Sequence, residues 1–80
     1  MTTLDLLHPG QSAEVLAISG EPGLVQRLYE LGLFEGECVE LVVFAPLGDP
    51  IEIRLGNSRL SLRKAEAAGI TVRPLSSRPA

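Results

Sequence analysis

The chain is poor in the residues that carry most catalytic and metal-binding chemistry. Its 80 residues include one cysteine, one histidine, one tyrosine and two phenylalanines, and no tryptophan. Because a single thiol cannot form an intrachain disulfide, a fold this small has to be stabilised by packing. A lone thiol is also typical of a reducing compartment, so we expect a cytoplasmic protein.

An excess of positive charge is also lacking, since 7 Lys and Arg residues stand against 10 Asp and Glu, a net charge of -3 at pH 7. Proteins that bind nucleic acid use cationic side chains to neutralise its phosphates, so we expect no nucleic-acid partner. The longest apolar run, residues 41–47, is broken by Pro46, whereas a membrane-spanning helix needs about 20 apolar residues. The first residues do not read as a signal peptide. We therefore expect no direct membrane insertion.

What is present fits one small folded domain. Apolar residues make up 45% of the chain and charged residues 21%, as in ordinary globular proteins. We assign residues 1–75 to a single domain and expect residues 76–80 to form a flexible C-terminal tail. A core of this size has little stability to spare, which leaves self-association open.

Apolar runs bounded by turn residues predict five strands, of which the first is mostly apolar without clean alternation. The first covers residues 11–18 and the second residues 37–44, where Val39, Leu41 and Val43 are expected to share one face. Residues 51–55 and the run around Leu60 and Leu62 alternate in the same way and are predicted to pair as an antiparallel hairpin, with positive φ at both turn residues, Gly56 and Asn57. The run Ile70, Val72 and Leu75 is the fifth strand.

One helical pattern interrupts these strands. Leu24, Val25, Leu28 and Leu31 fall within one arc of a helix at about residues 23–31, with Leu28 at the centre of that arc. Gly32 suits a left-handed helix cap, and a second helical turn is expected within residues 63–68. The elements predict a mainly β fold: a small SH3-like, five-stranded, partly open barrel with one short inserted α-helix and a helical turn before the last strand.

Two segments resemble the ferrous iron transport protein A (FeoA) family. The first is Arg27-Leu28-Tyr29-Glu30-Leu31-Gly32-Leu33, followed by Gly36. The second is Ala45-Pro46-Leu47-Gly48-Asp49-Pro50-Ile51, followed by Ser61-Leu62-Arg63-Lys64. The chain departs from the family pattern at Glu35, where proline is common.

This resemblance covers most of residues 4–75. It implies an SH3-like barrel in the cytoplasm that is accessory to a membrane ferrous iron transporter, FeoB, which carries a guanine-nucleotide-binding domain. The same fold occurs as the C-terminal domain of metal-dependent repressors, where an acid and an amide near the start of the corresponding helix reach a metal. Glu21 matches that acid and is a weak candidate metal ligand, but Leu24 stands where the amide would be.

No arrangement of residues indicates an enzyme. Catalysis needs a positioned nucleophile or acid–base pair, and the acids here are spread over separate predicted strands. His8 is interpreted as a turn residue beside Pro9, and Cys38 as a small core or barrel residue. The chain has neither a CxxC or HxxxH spacing nor a phosphate-binding loop. We therefore expect no catalysis, no cofactor and no tightly held metal.

A protein-binding surface is the remaining interpretation. The predicted helix and the turn after it are not needed to close a barrel, and in that turn Leu33 is predicted to face inward and Phe34 outward. Arg27 has two interpretations, as a solvated side chain beside Glu30 or as a charge-stabilising finger offered to a GTPase. The predicted partner-binding residues are Gln26, Arg27, Tyr29, Glu30 and Phe34.

Taken together with a protein-binding surface, the resemblance to the FeoA family implies two functions. The first is a non-enzymatic accessory module that binds the cytoplasmic GTPase-containing part of a FeoB-type transporter and modulates its activity or assembly. The alternative is a regulatory SH3-like domain of the metal-dependent repressor type, acting in the transcriptional response to iron.

Overall fold

The computed structural model describes residues 1–75, and the tail predicted at 76–80 lies outside them. All five predicted strands, the helix and the later helical turn are present, and a two-residue strand at the start of the chain was missed because two threonines show no apolar alternation. The elements are β1 (Thr2–Thr3), a 3-10 turn (Leu4–Leu6), β2 (Ser12–Ile18), α1 (Pro22–Glu30), β3 (Cys38–Phe44), β4 (Ile51–Leu55), β5 (Ser58–Leu62), α2 (Lys64–Ala67) and β6 (Ile70–Pro74).

The strands form one antiparallel sheet in the order β1-β6-β2-β3-β4-β5. The predicted hairpin is β4 with β5, in which Ile53 lies opposite Leu60. Only Gly56 takes a positive φ, of 60°, at its turn, so the prediction of positive φ at Asn57 was wrong. The barrel thus has six strands where five were predicted. No helix within residues 1–75 has both the length and the apolar character needed to cross a membrane.

The core is built from aliphatic side chains. Alternate residues of each strand face it, and no polar or charged side chain of the described residues is buried. Leu28 is fully buried, which confirms it as a core residue at the centre of the helix contact, and Leu24 packs against the same core. The buried residues are Leu4, Leu7, Ala13, Val15, Leu28, Leu33, Val39, Leu41, Ile51, Ile53, Leu55, Leu62, Ala67, Ile70 and Val72.

A bulge in β3 overturns one predicted orientation. Leu41 lies opposite Ile53, but Val43 lies opposite Glu52, so β3 carries one extra residue at this point. An extra residue shifts every later side chain to the other face of a strand. Val43 is therefore exposed, and Phe44 packs against the core instead.

Candidate partner-binding surface

The end of α1 determines which side chains of this region face the barrel. The N–H of Leu33 donates to the carbonyl of Leu28 at 2.9 Å, and the N–H of Gly32 to the carbonyl of Tyr29 at 3.0 Å. Gly32 has a φ of 96°. These two bonds and the left-handed glycine make a Schellman motif. The motif reverses the chain so that Leu33 packs in the core next to the helix that precedes it.

The turn after the helix is attached to the sheet. The N–H of Gly36 donates to the carbonyl of Val15, and the N–H of Val15 to the carbonyl of Glu37, both at 2.8 Å. Between these anchors and the helix, Leu33 is fully buried while the next residue, Phe34, is 41% exposed. The predicted orientations of both residues are confirmed.

Tyr29 connects the helix to this turn. Its hydroxyl donates to the carboxylate of Glu35, with oxygen–oxygen distances of 3.0 and 3.2 Å. This hydrogen bond is the main reason why the pKa of Tyr29 is raised, with smaller contributions from desolvation and from the charge of Glu35. Glu35 stands where the family resemblance leads one to expect proline, so a side-chain hydrogen bond restrains the turn in this chain.

The polar residues of α1 have different partners. The amide of Gln26 donates to the carboxylate of Glu30 one helical turn later, at 3.4 Å. The guanidinium of Arg27 lies 3.7 Å from the carboxylate of Glu66 in α2. Arg27 was predicted to be solvated beside Glu30, and its side chain is indeed 57% exposed. The acid that it meets is Glu66 of another helix, which local sequence could not indicate.

All five predicted partner-binding residues are exposed and lie on α1 and its turn. The structure adds Leu31, which was predicted to face inward with Leu28 but is 48% exposed. Because α1 ends at Glu30, Leu31 is the cap residue and lies beyond the turns that pack on the barrel. The helix surface is defined here as Gln26, Arg27, Tyr29, Glu30, Leu31 and Phe34.

A cleft of about 380 Å³ adjoins the helix surface at Arg27. Two of its acids are held by backbone N–H groups: Asp49 accepts from Lys64 at 2.8 Å, and Glu66 accepts from Arg63 at 3.1 Å. Sequence reasoning missed this cleft because its lining residues come from segments that are far apart in the chain. The cleft is lined by Arg27, Asp49, Pro50, Ser61, Leu62, Arg63 and Glu66.

The remaining candidate residues lie apart from one another. Glu21 precedes α1, is exposed and makes no capping hydrogen bond through its side chain. His8 is exposed in its turn. Cys38 was predicted to pack in the barrel, but its thiol side chain is exposed because Val39 takes the inward position at the start of β3. Residues 1–75 contain no group of three or more His, Cys, Asp or Glu side chains placed to hold a metal ion.

Similar proteins share both this sequence and this architecture. The FeoA domain model matches residues 2–74. The Fe(2+) transport protein A/Fe(2+) transporter FeoB fusion protein of Porphyromonas gingivalis is 35% identical over 74 residues, which are 92% of this chain and 9% of the fusion protein. This chain therefore spans only a small part of that relative.

Two solved structures extend the likeness to the fold. The FeoA protein of Chlorobium tepidum is 41% identical, with a TM-score of 0.91 over 98% of this chain and 74% of that one. FeoA of Stenotrophomonas maltophilia, described as a prokaryotic SH3 domain protein complexed with zinc, is 33% identical, with a TM-score of 0.78 over 90% of this chain and 89% of that one. The chain belongs to the FeoA domain family, has an SH3-like fold and is linked through its family to ferrous iron transport.

Proposed function

We propose that the chain is a non-enzymatic, cytoplasmic accessory module of ferrous iron transport. It binds the GTPase-containing part of a FeoB-type transporter through the helix surface and modulates the activity or the assembly of that transporter. The same family link favours this function over the regulatory domain of a repressor.

The observation that carries this proposal is the Porphyromonas gingivalis relative, in which Fe(2+) transport protein A and the transporter FeoB are one polypeptide. Covalent linkage keeps two domains at a high effective concentration without any strong contact between them. Fusion of the two in one polypeptide indicates that they act together, and direct contact between them needs a binding surface on the FeoA domain.

The helix surface has the composition that such binding requires. Tyr29 and Phe34 are aromatic and about two-fifths exposed, and Arg27 lies on the same helix as Tyr29. Tyrosine and arginine are enriched among the residues that contribute most to protein–protein affinity, and a rigid aromatic ring buries a large area at little entropic cost. The Schellman motif and the bond between Tyr29 and Glu35 hold these side chains in place before a partner arrives.

The proposal is tested by biolayer interferometry with the soluble GTP-binding domain of the FeoB-type transporter from the same organism, loaded with GDP or with a non-hydrolysable GTP analogue. We expect Phe34→Ser to weaken binding several-fold. The matched control is Leu47→Ser, which removes a leucine that is 96% exposed in the loop before β4 and should leave binding unchanged. The proposal is overturned if the chain binds in neither nucleotide state. If Phe34→Ser and Leu47→Ser lose the same affinity, the helix surface is not the interface.

A second measurement separates the two interpretations of Arg27. We expect Arg27→Gln to weaken binding without changing the GTPase rate of a saturated complex, as a contact residue would. If the saturated rate falls sharply while affinity is kept, Arg27 acts as a finger that stabilises charge in the transition state.

A further inference from the structure

The arginines of the described chain fall into two groups. Arg54, Arg59 and Arg73 each donate a hydrogen bond to a glutamate on a neighbouring strand: Glu40, Glu52 and Glu14 respectively. These cross-strand pairs lie on the outer face of the sheet and satisfy both charges of each pair.

Arg27 and Arg63 form the second group. Within residues 1–75 neither guanidinium donates a hydrogen bond to a carboxylate, and the closest approach is the 3.7 Å contact between Arg27 and Glu66. This separation is well beyond the 2.7–2.9 Å of a charge-assisted N–H···O bond. Both arginines line the same cleft, although they come from α1 and from the residue before α2.

The acids of that cleft are already engaged. Asp49 accepts a backbone N–H from Lys64, and Glu66 accepts one from Arg63. The cleft therefore combines two carboxylates, each with a backbone donor, and two guanidiniums without a hydrogen-bonded acid. Ser61 adds a hydroxyl, and Pro50 and Leu62 provide apolar wall.

We propose that this cleft binds the carboxylate of an acidic side chain in a peptide segment of a partner protein, held between Arg27 and Arg63. The planar guanidinium donates two parallel hydrogen bonds to a carboxylate. The apolar wall accommodates the carbon stem of a glutamate. The volume of about 380 Å³ lies within the usual range for ligand sites.

The charges of the cleft favour a carboxylate over a phosphate. Arg27 and Arg63 balance Asp49 and Glu66, so the charges of these four side chains sum to zero. A bound carboxylate leaves a charge of −1 in the cleft, whereas a phosphate monoester, which carries a charge close to −2 at neutral pH, leaves twice as much negative charge without a counterion. The inference goes beyond the proposed function, since it concerns the chemistry of a bound segment and does not depend on which protein carries it.

The test is an NMR titration of the ¹⁵N-labelled chain with the capped pentapeptide GLELG. Its controls are GLQLG, which has the same shape without the charge, and the same peptide with phosphoserine at the centre. We expect saturable shifts at Ser61 and Arg63 with GLELG alone, and an affinity that falls with added salt. Arg63→Gln and Arg27→Gln should each weaken binding roughly fivefold or more, as loss of a charge-assisted bond does.

Arg73→Gln is the matched variant, since it removes the same charge from the outer face of the sheet, and it should bind like the parent chain. Thermal melting of all three variants identifies any loss that comes from unfolding, and Ser61→Ala provides a milder probe of the same cleft. Two peptide results would overturn the inference: GLQLG binding as well as GLELG, or the phosphoserine peptide binding more tightly than GLELG. It is also overturned if Arg73→Gln weakens binding as much as Arg63→Gln. The last such outcome is the absence of a saturable shift by about 20 mM peptide, the weak limit for one such ion pair.

Discussion

Two sides of one short segment, the helix α1 and its turn, differ in their chemistry and in their burial. Leu28 and Leu33 are fully buried, while Tyr29 and Phe34, the residues directly after them, are each about two-fifths exposed. The inner side consists of aliphatic side chains that fill the barrel. The outer side carries aromatic and polar side chains that the core does not need. We therefore expect substitutions at adjacent residues to alter either stability or the proposed recognition, and not both.

The inner side should show the largest effect on stability. Leu28→Ala removes a fully buried side chain at the centre of the helix contact, so we expect the free energy of unfolding to fall by about 2–5 kcal/mol. Leu31→Ala is the matched control, because Leu31 is 48% exposed and should cost much less. Chemical denaturation of both variants measures the difference. Equal losses would mean that the apolar arc packs as a whole.

The next largest effect concerns the residue that separates the two sides. Gly32 has a φ of 96°, and an alanine there should cost about 1–2 kcal/mol through backbone strain. Gly23, in the same helix, has open space where the methyl group of an alanine would lie and has no left-handed φ. We expect Gly23→Ala to change the free energy of unfolding by less than about 1 kcal/mol, in the stabilising direction. If Gly32→Ala is equally harmless, the Schellman motif is not what directs Leu33 inward.

The outer side should contribute little to stability. We expect Phe34→Ser to change the free energy of unfolding by less than about 1 kcal/mol, as exposed substitutions usually do. Thermal melting compared with Leu33→Ser, its buried neighbour, provides the measurement. A large loss in Phe34→Ser would make this ring part of the core and would remove it from the helix surface.

The smallest effect is a change in titration. Glu35→Gln removes the carboxylate that raises the pKa of Tyr29, so that pKa should fall toward the ordinary 10.0. A raised pKa means that the folded state favours the neutral phenol, so this contribution to stability is complete below the ordinary pKa and is lost as the pH rises through the raised one. Tyr29 is the only tyrosine, and ultraviolet absorbance therefore follows it directly. An unchanged titration would show that the hydrogen bond to Glu35 is not maintained in solution.

Much of the fold could be predicted because its signals are local. Period-two alternation marked most of the longer strands, and a period of 3.6 residues marked α1, since each pattern reports which side of one element meets the core. A mostly apolar run that ends at a cluster of glycine and proline marked β2. The same reasoning placed Leu33 inward and Phe34 outward. It could not place Val43, because an unpaired residue in β3 shifts the alternation without any mark in the sequence.

By itself, the sequence determined the class of fold, the order of the elements and the residues exposed on the outer side of α1, because each of these depends on neighbours a few positions away. Only the tertiary structure decided that Arg27 meets Glu66, a residue far along the chain, that Cys38 is exposed, and that Arg27 and Arg63 line one cleft. Contacts of this kind depend on how α1 and α2 pack on the barrel. That packing is the sum of many weak aliphatic contacts and leaves no short pattern in the chain.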